Sequence, residues 1–109
     1  MSSDSTADLA SAAAAHLDRL IAFDTTSRDS NLALIAYVEA FLSEHGVTSR
    51  RVSNPEGTKA NLYATIGPNV RGGVVLSGHT DVVPVDGQNW ASDPFALTRR
   101  GARLYGRGT

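Results

Sequence analysis

The stretch GGVVLSGHTD, residues 72–81, decides the fold predicted for this chain. Val74–Leu76 is a short continuous apolar run, and such runs are typical of strands buried on both faces of an α/β sheet. His79 and Asp81 follow directly, at the carboxyl end of the predicted strand. Because open α/β sheets bind ligands at that end of their strands, we expect a functional edge at His79.

Two helices are predicted before this stretch. The first runs from about Thr6 to Phe23, with Ser5 or Thr6 as its N-cap. Its apolar face consists of Leu9, Ala13, Leu17, Leu20 and Ile21. The second is capped by Ser30 and ends at Gly46. Its buried stripe consists of Leu34, Val38, Phe41 and Leu42.

Strand signals surround the central stretch. Val47–Val52 predicts an exposed strand, and Asn54–Gly57 has the composition of a turn. Ala60–Ile66 alternates, so that Leu62, Ala64 and Ile66 share one face. A last hairpin is predicted from Phe95–Thr98 and Arg103–Tyr105, turning at Arg100-Gly101. Because no helix follows to cover the second face of the sheet, we expect an incomplete α/β domain.

Composition excludes several classes of function. Ten Lys and Arg residues against 11 Asp and Glu residues give a formal charge of -1, which predicts no attraction to nucleic acid or an anionic membrane. The absence of cysteine excludes disulfides, thiolate zinc sites and cysteine nucleophiles. No apolar run approaches the roughly 20 residues of a membrane span, and we expect a cytoplasmic protein.

The spacing of His79 and Asp81 is suited to metal binding. Positions i and i+2 of an extended chain project to the same side, so the carboxylate can accept a hydrogen bond from one imidazole nitrogen. The other nitrogen then presents its lone pair to a metal. The alternative is a histidine that is hydrogen-bonded to a nearby aspartate and binds no metal.

Several segments together resemble one protein family. They are HTDVVP at 79–84, Trp-x-x-Asp-Pro-Phe at 90–95 and LYGRGT at 104–109, with FDTTS at 23–27, SNL at 30–32 and KANL at 59–62. The chain resembles the acetylornithine deacetylase, succinyl-diaminopimelate desuccinylase and carboxypeptidase family of zinc metallopeptidases, and within it the acetylornithine deacetylases. The resemblance covers nearly all of the chain from about Leu17.

The resemblance implies a fold and two site residues. Residues 1–109 would be the incomplete N-terminal portion of a phosphorylase/hydrolase-like α/β catalytic domain, with a mixed sheet flanked by helices and without the dimerisation or lid domain. His79 matches the first metal ligand of the family. Asp81 matches the catalytic carboxylate that orients it. The general base and the remaining ligands would lie beyond Thr109.

The resemblance also implies a reaction. Two Zn²⁺ or two Co²⁺ ions would support hydrolysis of a small N-acylated amino acid, N-acetylornithine, to ornithine and acetate in arginine biosynthesis. The full-length parent would be a homodimer. Since a catalytic zinc needs about three protein ligands, we expect the 109-residue chain alone to be inactive. A desuccinylase or dipeptidase remains an alternative, as does a non-catalytic module or relic that binds a partner through an open sheet edge.

Four other features favour structural interpretations. His16 lies near the apolar face of the first helix, and His45 is at the C-terminus of the second. Trp90 is expected to pack a loop. The Gly106–Gly108 segment lacks the third glycine and the following helix of a phosphate-binding loop.

Overall fold

A computed structural model describes residues 3–109 of the chain. The elements are α1 (Ser3–Ile21), α2 (Leu32–Glu44), β1 (Ser49–Ser53), β2 (Ala60–Ala64), β3 (Thr98–Arg100) and β4 (Arg103–Tyr105). The strands form two antiparallel pairs, β1–β2 and β3–β4. The α/β class is therefore confirmed, but the described residues do not form the mixed sheet that was predicted. The chain divides into two compact units, Thr25–Asp81 and the remainder.

Helix α1 begins earlier than predicted. Because it starts at Ser3, Ser5 and Thr6 lie inside its first turns, and the N-cap prediction was wrong. The alanine-rich sequence has a high helix propensity, which lets the helix extend past these residues. Burial is confined to the C-terminal part of its apolar face: Leu9 is 59% exposed, whereas Ile21 is 6% exposed. Among residues 3–109, neither helix has the length and apolar character of a membrane-spanning segment.

The end of α2 has the predicted glycine geometry. Gly46 adopts φ +71°, which glycine tolerates without steric strain. Its N–H donates to the Ser43 carbonyl at 3.0 Å, and the Val47 N–H donates to the Leu42 carbonyl at 2.9 Å. These two bonds form a Schellman motif, which satisfies carbonyls that have no partner within the helix.

The start of α2 differs from the prediction, and its buried face follows it in part. The N-cap is Asn31, whose side chain makes no capping bond, so the prediction of Ser30 as the cap was wrong; Ser30 lies one position earlier, and its Oγ accepts the Leu32 N–H at 3.2 Å. Leu34 is buried, but so is Ile35, which was not included in the predicted stripe. Phe41, which was included, is 36% exposed. The buried face of α2 is therefore shifted around the helix towards Ile35, compared with the predicted stripe.

The β1–β2 hairpin is built around Asn54. Its Oδ1 accepts the N–H groups of Thr58 and Lys59 at 2.9 and 3.0 Å, and Gly57 closes the turn with φ +69°. In β2, burial alternates between half-buried Leu62 and exposed Tyr63, as predicted. The strand ends at Ala64, so the predicted extension to Ile66 was wrong.

The β3–β4 hairpin is shorter than predicted. Its register pairs Arg100 with Arg103, so Gly101 and Ala102 form a two-residue turn. Gly101 has φ +62°, as at the first central position of a type II′ turn. The first strand begins at Thr98 and not at Phe95.

The main correction concerns Val74–Leu76. These three residues form no strand, and their exposed fractions are 87%, 83% and 92%. An apolar run becomes a buried strand only when neighbouring strands pair with its backbone and other layers cover its faces. Residues 3–109 provide no such pairing, and the run lies in solvent.

Candidate functional site

His79 and Asp81 lie together, as their spacing predicts. The His79 Nδ1 atom lies 3.0 Å from the Asp81 Oδ1 atom and 3.0 Å from the Asp81 carbonyl oxygen. Their side chains are 82% and 65% exposed. The pair therefore lies on an open surface, in a segment without regular secondary structure and not at the end of a buried strand.

This geometry determines which imidazole nitrogen carries the proton when His79 is neutral. Both atoms near Nδ1 are oxygens that accept hydrogen bonds, one from the Asp81 carboxylate and one from a backbone carbonyl. Nδ1 must therefore be the donor, and Nε2 keeps its lone pair. An imidazole in this state is ready to coordinate a metal ion through Nε2.

A metal ion fits this donor set only in part. The described residues supply one imidazole ligand and the carboxylate that orients it. Within residues 3–109, no three His, Asp or Glu side chains are close enough to hold an ion together. A zinc site needs about three or four protein ligands, so His79 accounts for one position of such a site.

Thr80 connects this pair to the rest of its unit. The Thr25 hydroxyl donates to the Thr80 carbonyl at 2.5 Å. Asn31 Nδ2 donates to Thr80 Oγ1 at 3.1 Å. Neither Thr25 nor Asn31 was identified as a site residue from the sequence. The available signal was weak: Asn31 precedes an apolar helix, where a capping role is the ordinary interpretation.

A groove of about 830 Å³ opens beside the pair in the same unit. One wall is apolar and comes from α2 and β2. The groove is lined by Leu34, Val38, Leu42, Leu62, Ala64 and the segment 77–81, among others. The groove thus combines one apolar wall with polar groups, which include those of the His79 segment.

The remaining candidates have structural contacts. His45 Nδ1 lies 2.9 Å from the Phe41 carbonyl oxygen, and the two rings lie 4.5 Å apart. The Arg107 guanidinium lies 5.6 Å from the centre of the Trp90 ring and donates to the Val83 carbonyl at 2.7 Å. These contacts place Trp90 in loop packing, as predicted, with Arg107 as its partner.

Comparison with known proteins finds a family match that includes the His79–Asp81 segment. Residues 75–109 match the model of peptidase family M20/M25/M40. The chain is 43% identical to an acetylornithine deacetylase of Proteus mirabilis over 89 residues. This alignment covers 81% of this chain and 23% of that protein. The acetylornithine deacetylase of Photorhabdus laumondii is 44% identical over the same shares of the two chains.

A more distant relative gives the same result. The acetylornithine deacetylase of Buchnera aphidicola is 39% identical over 80 residues, which are 73% of this chain and 21% of the relative. The chain thus spans about a quarter of the length of these relatives. No solved structure matches it. The predicted resemblance is confirmed: the chain is similar to acetylornithine deacetylases over most of its length, and its last 35 residues carry the M20/M25/M40 peptidase signature.

Proposed function

We propose that this chain is the N-terminal portion of the catalytic domain of a metal-dependent amidohydrolase that converts N-acetylornithine to ornithine and acetate. The observation that supports it most directly is the His79–Asp81 pair, with Nδ1 bonded and Nε2 available, inside a segment that matches the M20/M25/M40 family. Relatives named acetylornithine deacetylase support the choice of substrate.

In this proposal His79 is a metal ligand and Asp81 is its positioning carboxylate. Asp81 accepts the Nδ1 hydrogen, which favours this ring orientation and increases the basicity of Nε2. A bound zinc or cobalt ion would polarise the amide carbonyl and lower the pKa of a water molecule. The longer protein of this proposal would hold two such ions, and its residues outside this chain would supply the other ligands.

The proposal extends to the fold. We propose that Val74–Leu76 adds to β2 as the next strand of a mixed sheet in the longer protein. Two features support this: the run is apolar yet almost fully exposed, and the groove beside β2 has an apolar wall. Adding the strand would carry His79 to a strand's carboxyl end, where α/β sheets bind ligands.

The remaining parts of the proposal concern the whole protein. It would act in arginine biosynthesis in the cytoplasm, as a homodimer formed through a separate domain. The 109-residue chain alone would be inactive because it supplies one ligand position.

Parallel assays test the substrate. The open reading frame that contains these residues is expressed, and the product is assayed with N-acetylornithine, N-succinyl-diaminopimelate and a dipeptide. We expect N-acetylornithine to have the highest kcat/KM by at least about tenfold, or roughly 1.4 kcal/mol in transition-state binding. Preference for either other substrate would replace the deacetylase assignment by that relative. No hydrolysis of any of them would favour a non-catalytic module.

A further inference from the structure

Thr80 lies between His79 and Asp81 and is held at two atoms. Its carbonyl accepts the Thr25 hydroxyl at 2.5 Å, and its Oγ1 accepts the Asn31 amide at 3.1 Å. Thr25 is 5% exposed, so its hydroxyl bond is largely protected from competition by water. Thr80 therefore has less conformational freedom than the exposed side chains of His79 and Asp81.

The orientation of the Asn31 amide is fixed by β2. Asn31 Oδ1 accepts the Ala60 N–H at 3.0 Å, and Nδ2 donates to the Ala60 carbonyl at 2.9 Å. The Ala60 N–H can donate only to the oxygen of the Asn31 side-chain amide, so Oδ1 must face Ala60 N. The amide nitrogen, Nδ2, must therefore face Thr80. Asn31 thus joins the start of α2, the outer edge of β2 and Thr80.

The His79–Asp81 contact is too weak to fix its own geometry. Both side chains are more than half exposed, and exposed charge pairs contribute little because solvent screens them and side-chain freedom is lost. The backbone at Thr80 brings the side chains of positions 79 and 81 to the same side, which is the condition for their 3.0 Å contact. Bonds that hold Thr80 therefore act on the pair without contacting either member.

We propose that Asn31 and Thr25 are positioning residues that keep His79 in its Nδ1–H, metal-ligating form by fixing the backbone at Thr80. The metal-binding role of His79 rests on the proposed function, but the effect of Thr25 and Asn31 on its tautomer does not. That effect can therefore be measured without a bound metal or a substrate.

The test is the tautomer of His79, read from two-bond ¹H–¹⁵N correlations at about pH 8, above the usual imidazole pKa. The protein is the 109-residue chain. Thr80→Val removes the hydroxyl but leaves the Asn31–Ala60 bonds in place. We expect wild-type His79 to be mainly Nδ1–H, and Thr80→Val to lower the Nδ1–H to Nε2–H ratio several-fold. Thr80→Ser keeps the hydroxyl and should retain the wild-type ratio.

Matched variants complete the test. Thr65→Val deletes a hydroxyl at an exposed position of the same unit and should leave the ratio unchanged. Thr25→Val should shift the ratio in the same direction as Thr80→Val. If Thr80→Val fails to fold, as judged by its backbone spectrum, Thr80→Ala replaces it.

Two results would overturn the inference. One is a wild-type His79 that is mainly Nε2–H. The other is an Nδ1–H to Nε2–H ratio that stays at the wild-type value in folded variants lacking the Thr80 hydroxyl or the Thr25 hydroxyl. Absence of amidohydrolase activity in the longer protein would overturn the proposed function and leave the tautomer result standing.

Discussion

The Nδ1 atom of His79 and the Oδ1 atom of Asp81 lie 3.0 Å apart, although both side chains are largely exposed. If His79 is a metal ligand, as proposed, Asp81→Asn in the longer protein should lower metal affinity about 10–100-fold, because the imidazole loses the charge that makes it basic. The Asp81 carbonyl oxygen also lies 3.0 Å from Nδ1 and should preserve part of the orientation. Competition with a metal indicator measures the change.

The matched control for this variant is Asp29→Asn. Asp29 is an exposed carboxylate of the same unit and precedes α2. Equal metal affinities for the two variants would show that Asp81 has no special relationship to the metal.

The close approach of Gly106 to Ile21 gives a prediction about stability. A methyl group at Gly106 would lie 3.1 and 3.3 Å from two side-chain carbons of Ile21, which is 6% exposed. We expect Gly106→Ala to lower the free energy of unfolding by about 1–3 kcal/mol through overpacking. Urea denaturation measures the difference.

Gly78→Ala is the control for Gly106→Ala. A methyl group at Gly78 would have no neighbour within 4 Å, and neither glycine has a positive φ. Its effect should stay within about 0.5 kcal/mol. An equal loss of stability in both variants would argue against steric contact with Ile21 as the cause.

The Glu39–Arg51 pair predicts a pH effect. Arg51 Nη2 donates to Glu39 Oε1 at 2.5 Å and lowers the pKa of the Glu39 carboxyl below its usual value. Because the folded-state pKa is the lower one, the pair stabilises the fold above the unfolded-state pKa of about 4.3, and the contribution disappears as the pH falls through the folded-state pKa.

Glu39→Gln tests this dependence. The variant should be slightly less stable than wild type at neutral pH and low salt, and equally stable below both pKa values. Since both side chains are only partly buried, added salt should also reduce the difference. Urea midpoints at the two pH values measure it. A difference that grows on acidification would contradict the assigned sign.

Substitution of Leu76 is expected to affect stability differently in the 109-residue chain and in the proposed longer protein. It is 92% exposed, so Leu76→Thr should change the stability of the 109-residue chain by no more than about 0.5 kcal/mol. If Val74–Leu76 becomes a buried strand in the longer protein, the same change should destabilise it by about 2–5 kcal/mol. Small effects in both proteins would reject the proposed strand.

Local signals made much of the fold predictable. The Schellman motif at Gly46, the Asn54 turn and the Gly101 turn each depend on residues within a few positions of one another. The i, i+2 contact of His79 with Asp81 is similarly local. Sequence patterns were sufficient for these features because the chain meets their geometric requirements with neighbouring residues.

Non-local features were not predictable in the same way. The burial of Val74–Leu76 depends on partner strands, and the apolar pattern does not say whether they are present. The Asn31–Thr80 bond joins residues 49 positions apart, and the Asn31–Ala60 bonds span 29 positions. A capping preference at Asn31 gives no indication of these bonds, because they arise when the helix and the strand pack together.

Metal binding by the product of the open reading frame tests the central claim most directly. Purified wild type, His79→Ala and His45→Ala are compared for bound zinc after equilibration with a limiting concentration of the ion. His45 is a suitable control because it is also exposed and belongs to the same unit. We expect wild type and His45→Ala to retain zinc and His79→Ala to lose most of the ion at its position. Equal zinc content in all three proteins would contradict the assignment of His79 as a metal ligand.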